Sequence, residues 1–372
     1  MLTNLQEVDQ EEAFNLIKFF IWSHQNMFLF GRRGTGKTQL ILDAIQACNY
    51  KVNYINLSVV ERSDLAGYPD IFSEGDIVKF KSPYFLSKLS ENCKPDTVLV
   101  FDEIDKASPD VTAPLLEILQ FKRINGKPLN IVSCILTSNL INEQAYSNYI
   151  SSALLDRGAK YVLSFQFDKW LDWAKSNQIH DLILGFLQHN PQLACGDINQ
   201  DQYASPSPRG WQLTSDALYK AKELKIVDSN SIYNIVSGFV GKEAGIKFKI
   251  WYEHYKKFDS FVHSLIELGQ LQLDFGNLMP TEKTIFVISA CHLAKQKVIQ
   301  DISKSNKNKF LFLENLCNFF ITQKVDLELQ ILGLSNSFSF DMITRHKLYS
   351  CKVFFEHFTK LNEKINFKNK GT

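Results

Sequence analysis

Two apolar runs flank a glycine-rich turn between residues 26 and 40, in the order NMFLFGRRGTGKTQL. The run MFLF is too short for a helix and predicts a buried strand, whereas TQLILDAIQAC has the apolar spacing of a helix. Between them, Gly31-x-x-x-x-Gly36-Lys37-Thr38 fits the pattern of a phosphate-binding loop. The loop therefore stands in the context that phosphate binding requires, after a strand and at the start of a helix.

Each residue type in this loop has a physical task. Gly31, Gly34 and Gly36 let the backbone bend and bring successive N–H groups toward the phosphates. Lys37 places a positive charge near the β and γ phosphates, and the Thr38 hydroxyl can ligate Mg²⁺. The start of the following helix adds its dipole. The alternative, a glycine-rich turn with an exposed lysine, would need neither the strand nor the helix.

Polar side chains follow two further apolar strands. Asp102 and Glu103 end the run VLVF, and Asn139 ends the run CILTSN. At the carboxyl end of a parallel strand, Asp102 can hold the Mg²⁺ shell and Glu103 can polarise an attacking water. Asn139 can help to orient that water. The alternative is that these residues only terminate strands, as Asn commonly does.

Strand and helix patterns alternate from about residue 26 to 166, which favours a parallel sheet between two layers of helices. The segment 71–80 and the turn Asn125-Gly126, between FKRI and KPLNI, each predict a hairpin. An amphipathic helix is predicted over residues 8–24. Beyond residue 166 no strand pattern recurs and the apolar spacing is helical.

Composition narrows the class of protein further. The chain has 372 residues, a formal net charge of +1 and seven scattered cysteines without a CxxC pair. This charge gives no overall argument for binding nucleic acid or an anionic membrane. The cysteines indicate reduced thiols, and the acidic N-terminus is unlike a signal peptide. We therefore expect a soluble, cytoplasmic protein that does not span a membrane.

The ordered motifs GRRGTGKT, VLVFDE, TSN, LLDR and SPRGW together resemble those of the AAA+ ATPases, specifically the MoxR branch with its SPRxW signature. The resemblance implies a P-loop αβα sandwich with a parallel sheet, followed by an all-α lid and an α-helical C-terminal region. The corresponding domains would be 1–166, 167–254 and 255–372, the last of unknown role. The two predicted hairpins would be the helix-2 insert and the pre-sensor 1 hairpin.

The resemblance also implies that ATP and Mg²⁺ bind here. Thr38 and Asp102 would hold the metal. Glu103 would be catalytic, with Asn139 as sensor 1, Arg157 as the arginine finger and Arg209 as sensor 2. The residues that would contact the nucleotide are Gly31, Gly34, Thr35, Gly36, Lys37, Thr38 and Gln39.

The sequence departs from the family pattern in two places. Gly158 follows the finger arginine where family members often have an aromatic residue, and Arg32-Arg33 stand in the loop where a proline or small residue is usual. An arginine finger implies a neighbouring subunit, so the resemblance predicts a homo-oligomer, expected as a hexameric ring.

The expected function is Mg²⁺-dependent ATP hydrolysis that remodels or activates a protein partner. Proteins of the MoxR branch are frequently paired with a von Willebrand factor A domain protein, which is the client we expect first. The alternative is a nucleic-acid motor or a defence or restriction-type translocase, because the hairpin FKRINGK is basic. A nucleotide-gated scaffold without turnover would not need Glu103.

Overall fold

The computed structural model describes residues 5–72, 79–83, 86, 89, 95–140, 150–196, 204–302, 310–338 and 340–369. The chain divides into two compact units. Unit 1 comprises Met1–Trp170, Asp197–Gln202 and Ser207–Arg209. Unit 2 comprises Leu171–Gly196, Tyr203–Pro206 and Gly210–Thr372.

Unit 1 is built on a parallel sheet. In chain order, the strands of this unit are β1 Gln6–Val8, β2 Met27–Gly31, β3 Lys51–Asn56, β4 Tyr68–Pro69, β5 Phe80–Lys81, β6 Thr97–Asp102, β7 Arg123–Ile124, β8 Lys127–Pro128, β9 Ile131–Asn139 and β10 Ala159–Leu163. Six of them form one sheet in the order β1-β10-β2-β9-β6-β3, and every neighbouring pair is parallel. Every residue of β2, β6 and β9 is buried, as expected for central strands covered on both faces.

The two faces of the sheet carry separate hydrophobic clusters. Successive residues of a strand point to opposite faces, so Phe28 and Phe30 belong to one cluster and Met27 and Leu29 to the other. The first cluster includes apolar residues of the helix Thr112–Phe121, and the second includes those of Gln10–Trp22 and Lys37–Ala47. The predicted sandwich of helices around a parallel sheet is therefore confirmed. The remaining helices of this part of the chain are Arg62–Ala66, Ser152–Leu155 and Phe167–Ser176.

The first helix begins later than the spacing alone predicts. Residues 6–8 form the edge strand β1, and the helix starts at Gln10 behind Asp9. The Asp9 carboxylate accepts hydrogen bonds from the backbone N–H groups of Glu11 and Glu12, and the Glu12 side chain accepts one from Asp9 N. This capping box fixes the helix start and is visible in the sequence as Asp-x-x-Glu.

Two small antiparallel hairpins project from unit 1. β7 and β8 pair around Asn125 and Gly126, whose φ angles of +48° and +73° suit a tight two-residue turn, so this prediction is confirmed. β4 pairs with β5, so the strands of the other hairpin lie at 68–69 and 80–81 rather than within 71–80. Residues 73–78 of that predicted hairpin lie outside the described residues.

Unit 2 is helical throughout the residues that the structure describes. The helices Phe167–Ser176 and Pro208–Glu223 begin in unit 1 and continue in unit 2. The other helices of unit 2 are Asp181–His189, Ser229–Val240, Lys242–Leu268, Pro280–Ile302, Leu311–Thr322, Leu327–Ser337, Phe340–Arg345 and Lys352–Asn369. The predicted boundary between residues 254 and 255 falls inside the helix Lys242–Leu268. No helix in the described ranges is both long and apolar enough to cross a lipid bilayer.

Candidate nucleotide-binding site

The phosphate-loop pattern lies between β2 and the helix Lys37–Ala47. Gly34 and Gly36 have φ angles of +69° and +86°, a region that glycine enters without steric cost. The Lys37 side chain is only 8% exposed, and its Nζ donates to the carbonyl oxygens of Gly31, at 2.8 Å, and Arg32, at 2.9 Å. The lysine thus closes the loop on itself at the start of the helix Lys37–Ala47, where backbone N–H groups and the helix dipole favour an anion.

Three adjacent strand ends meet beside this loop. Gly31, the last residue of β2, is in register with Asn139, the last residue of β9. β9 is flanked on its other side by β6, which ends at Asp102. Asn139 is buried, and its Oδ1 lies 3.4 Å from Lys37 Nζ. The structure therefore brings together the loop, the acidic pair and Asn139, which the sequence places far apart.

Asp102 is held by four donors. Its Oδ2 accepts hydrogen bonds from Thr38 Oγ1, at 3.0 Å, and from the Tyr54 hydroxyl, at 2.6 Å. Its Oδ1 accepts from Thr137 Oγ1 and, at 3.2 Å, from Glu103 N. Burial, together with the hydrogen bond to the Asp102 carboxylate, raises the pKa of Tyr54 well above its ordinary value, so the phenol stays protonated and can donate. Tyr54 and Thr137 were not among the residues predicted for the site.

Glu103 has an unusual backbone conformation. Its φ of +57° is in the left-handed region, which costs a non-glycine residue free energy and is concentrated at functional sites. The backbone N–H donates to Asp102 Oδ1 and Thr137 Oγ1, which holds this conformation. Among the described residues, no hydrogen bond or ion pair engages the Glu103 carboxylate, so it is available to accept a proton.

The oxygen ligands at this edge of the sheet suit Mg²⁺ bound jointly with phosphate. The Thr38 hydroxyl and the Asp102 carboxylate are hard oxygen ligands 3.0 Å apart. No cluster of three or more His, Cys, Asp or Glu residues that could hold a metal occurs in the described ranges. Mg²⁺ usually takes only one or two protein ligands and fills its shell with water and substrate phosphates, so two ligands are sufficient here.

Arg209 lies beside the phosphate loop. A methyl group placed on Gly34 would lie 3.0 Å from Cβ of Arg209, so the start of the helix Pro208–Glu223 approaches the loop closely. Two residues later, Trp211 is fully buried in unit 2 and donates from Nε1 to Leu193 O at 2.7 Å. The SPRxW signature thus combines an exposed arginine next to the loop with an anchoring tryptophan.

Arg157 lies beside Asn26, which precedes β2, whereas the phosphate loop follows the other end of that strand. Its guanidinium donates to Ala153 O, at 2.8 Å, and Gln120 Oε1, at 3.0 Å. The Asn26 side chain accepts a hydrogen bond from Cys134 N in β9 and donates one to Arg157 O, at 3.0 Å, which ties the backbone of Arg157 to the sheet. A Cβ on Gly158 would lie 2.9 Å from Asn26 O. A side chain at position 158 would therefore collide with the backbone of Asn26.

The remaining predicted contact residue is Gln39. Its Nε2 donates to Asp43 Oδ1 at 2.7 Å, along the surface of the helix, so any contact with a nucleotide would come from its backbone. Thr35 is buried and donates to Arg32 O at 2.8 Å, which stabilises the turn of the loop. These roles in nucleotide binding remain predictions.

Comparison with known proteins identifies the domain that carries this site. Residues 26–157 match the family described as AAA domain (dynein-related subfamily). The chain is 32% identical over 135 residues to the mitochondrial disaggregase of Homo sapiens, and 33% identical over 125 residues to the chaperone protein ClpB of Mycoplasma genitalium. These matches cover 32% and 30% of this chain but only 18% and 17% of the two relatives, so the chain spans less than a fifth of their length.

A solved structure of RuvB from Thermotoga maritima is similar over 70% of this chain and 75% of its own, with 12% identity and a TM-score of 0.35. The similarity to an AAA domain instead depends on the sequence match of residues 26–157 and on the parallel sheet with its phosphate loop. The MoxR branch is not distinguished by these comparisons. Residues 26–157, the segment that contains the phosphate loop, Asp102, Glu103 and Asn139, are therefore similar to an AAA domain.

Proposed function

We propose that the chain is a Mg²⁺-dependent ATP hydrolase of the MoxR branch that works in a homo-oligomeric ring, expected to be hexameric, to remodel or activate a protein partner. The observation that carries this proposal is the convergence of Lys37, Asp102, Glu103 and Asn139 at three adjacent strand ends. A site that only binds nucleotide would need the loop but not a glutamate with a positive φ whose carboxylate has no hydrogen bond or ion pair among the described residues.

The side chains divide the chemistry between them. Lys37 and the loop N–H groups bind the phosphates, and the oxygens of Thr38 and Asp102 suit Mg²⁺, which would neutralise phosphate charge when bound. Glu103 takes the proton of the attacking water, which Asn139 orients. Arg209 senses the nucleotide from the helical lid, and Arg157 reaches the γ-phosphate of a neighbouring subunit.

The β4–β5 hairpin favours a protein client. Tyr68, Ile71 and Phe72 are 63%, 83% and 81% exposed, and Phe80 is also exposed. Large apolar side chains that project from a short hairpin are suited to contact apolar segments of another protein. The names of two relatives, a disaggregase and a chaperone, agree with a client of this kind.

The β7–β8 hairpin gives weak support to a nucleic-acid motor. Lys122 Nζ donates to His24 O and Val132 O, and partial burial lowers its pKa. Arg123 pairs with Glu117 at 3.3 Å, and Lys127 Nζ donates to Phe80 O at 3.0 Å. The cations of this hairpin therefore have internal partners, whereas phosphate-tracking cations should face solvent.

The choice of client can be tested directly. ATP turnover should rise on addition of the protein encoded next to this chain, for which a von Willebrand factor A domain protein is the first candidate. DNA or RNA at low salt should leave turnover unchanged. Stimulation by nucleic acid that disappears as salt is raised would instead support the alternative motor.

The hydrolytic assignment predicts different defects for two substitutions. Lys37→Ala should abolish ATP binding, because it removes both the charge and the closure of the loop. Glu103→Gln should retain ATP binding and lose turnover by about 10²-fold or more, as expected for loss of a general base. Binding is measured with a fluorescent ATP analogue and turnover by phosphate release.

Asp43→Asn provides the matched control, because Asp43 lies on the helix Lys37–Ala47 and its carboxylate accepts a hydrogen bond from Gln39 Nε2 on the surface of that helix. It should behave like the unsubstituted chain. Normal turnover by Glu103→Gln would contradict the role of Glu103 as base.

A further inference from the structure

A third carboxylate, after those of Asp102 and Glu103, lies against Asn139. Asp105 is fully buried, on the short 3-10 helix Ile104–Lys106 that follows β6. Its oxygens accept hydrogen bonds from Asn139 N at 3.2 Å, Asn139 Nδ2 at 3.3 Å and Ser138 Oγ at 3.4 Å. The Lys106 ammonium is 3.9 Å away. Two of the three hydrogen bonds thus go to the residue predicted as sensor 1.

The chemistry of these groups determines which way Asn139 points. An ionised carboxylate can only accept hydrogen bonds, whereas an amide has one accepting and one donating end. Asp105 therefore selects the orientation in which the Asn139 NH₂ group faces it. The carbonyl Oδ1 then faces Lys37 Nζ, 3.4 Å away. With the opposite orientation, the Asn139 NH₂ group would face the Lys37 ammonium. Both groups are hydrogen-bond donors, so no hydrogen bond could form between them.

We propose that Asp105 is a positioning residue that fixes the orientation of the Asn139 amide, so that the site receives an acceptor oxygen beside Lys37 instead of a donor. This inference rests on the proposed ATP hydrolysis. The Asn139 carbonyl oxygen can accept a hydrogen bond from the attacking water while Glu103 takes the one proton that the water loses, so Asp105 affects turnover through Asn139 without contacting the nucleotide.

Asp105→Asn tests the orientation with almost no change in volume. An amide at position 105 offers one accepting oxygen to the two N–H donors of Asn139, so the unique orientation is lost. Turnover should fall about 10- to 100-fold, the size typical for loss of a partner that orients a functional group. The dissociation constant for ATP should change little.

Ser138→Ala, which removes the third donor to Asp105 but leaves both contacts to Asn139, is the matched control and should keep near-normal turnover.

A double-mutant cycle separates positioning from a structural effect. Asn139→Ala should lower turnover, and adding Asp105→Asn to it should have no further effect. An equal loss in both backgrounds would overturn the inference, as would normal turnover of Asp105→Asn alone. If the unsubstituted chain hydrolyses no ATP, the proposed function fails, and the side-chain amide resonances of Asn139 then decide the inference.

Those resonances are assigned by their disappearance in Asn139→Ala. In the unsubstituted chain, the NH₂ protons bonded to Asp105 should exchange slowly with solvent, and in Asp105→Asn they should shift and exchange faster. Fast exchange in the unsubstituted chain would overturn the inference even if Asp105→Asn does not fold.

Discussion

At the scale of single residues, Asp102 has little unused capacity for hydrogen bonds. Its two oxygens accept from Thr38, Tyr54, Thr137 and the Glu103 backbone, and a carboxylate offers about four lone-pair directions. A Mg²⁺ ion with its water shell must therefore displace a donor from Asp102. Tyr54 is 45% exposed on the edge strand β3, so its hydroxyl can move away at the smallest cost in packing.

Tyr54→Phe should consequently strengthen Mg²⁺ binding. The substitution keeps the ring and removes only the hydroxyl that competes for Oδ2. We expect the Mg²⁺ concentration for half-saturation, measured by calorimetric titration in the presence of a non-hydrolysable ATP analogue, to fall about three- to tenfold. That range is what loss of a partly exposed hydrogen bond to a charged group allows.

Tyr50→Phe is the matched control. Tyr50 directly precedes β3 and packs against the hydrophobic cluster that contains Met27 and Leu29, instead of contacting Asp102. It should leave Mg²⁺ binding unchanged. A rise in the Mg²⁺ requirement of Tyr54→Phe would mean that the hydroxyl holds Asp102 in place for the metal instead of competing with it.

The sequence predicted the residues whose roles depend on local patterns, and missed those whose roles depend on strand order. The phosphate loop is contiguous, and Asp102 and Asn139 each end an apolar run. Tyr54 and Asp105 act across strands, through the pairings β3–β6 and β6–β9. Alternating strands and helices predict a parallel sheet but do not determine which strands are neighbours, so neither contact could be predicted.

At the scale of secondary-structure elements, the two hairpins are joined to each other and to the helix Thr112–Phe121. Glu117 on this helix accepts hydrogen bonds from Asn125 N and Gly126 N in the β7–β8 turn. Asn125 Nδ2 in turn donates to Ala66 O, and Lys127 Nζ donates to Phe80 O on the β4–β5 hairpin. A displacement of the helix that follows the acidic pair would therefore move both hairpins.

Two glycines allow the contribution of the β4–β5 hairpin to be isolated. Gly67 and Gly126 have similar φ angles, +78° and +73°. A Cβ added to Gly67 would lie 1.9 Å from Lys81 O, whereas a Cβ added to Gly126 would have no atom within 4 Å. Gly126→Ala should cost about 1 kcal/mol of backbone strain. Gly67→Ala should in addition separate β4 from β5, because the obstacle is a backbone carbonyl that cannot rotate away.

Hydrogen exchange measured by mass spectrometry checks this difference. Gly67→Ala should accelerate amide exchange at Tyr68, Phe80 and Lys81 and reduce stimulation by a protein client while basal ATP turnover persists. Gly126→Ala serves as the matched control and should leave those amides protected. Protected amides in Gly67→Ala would show that the carbonyl of Lys81 moves without loss of the hairpin.

Element boundaries were predictable to the extent that side-chain signals mark them. The Asn-Gly turn predicted β7–β8 correctly, because two consecutive residues with positive φ need those residue types. β1 was missed, because three edge residues are too few to show an alternating pattern. The β4–β5 strands are two residues each and depend on Gly67 at their start, not on apolar spacing.

At the scale of the whole molecule, the sequence predicted an α/β part followed by an all-α part, because apolar periodicity changes near residue 166. The structure places the end of unit 1 at Trp170 and assigns Ser207–Arg209 to it as well. That return of the chain could not be predicted, because it depends on where a distant segment packs. The SPRxW motif indicates that Ser207–Arg209 return to unit 1 only after these residues have been matched to a family.

Assembly is the property of the whole molecule that the site most directly predicts. Arg157 donates to Ala153 and Gln120 in its own chain, at the end of a short helix and away from the contacts of Lys37. If it acts on a neighbour's γ-phosphate, each complete site is shared between two subunits. Arg157→Ala should then lower turnover about 10³-fold or more, with ATP binding retained.

Mixing provides the decisive measurement, because Lys37→Ala and Arg157→Ala damage opposite sides of one interface. Each variant alone should be inactive. In a randomly mixed ring, about a quarter of the interfaces pair an intact Lys37 with an intact Arg157 from the next subunit, so turnover should return to about that fraction.

Arg123→Ala, which removes an arginine paired with Glu117 in the same unit, is the matched control: mixed with Lys37→Ala it should add only its own activity. Mass photometry confirms that mixed oligomers form. If they form and turnover does not return, Arg157 acts within its own subunit and the shared site is wrong.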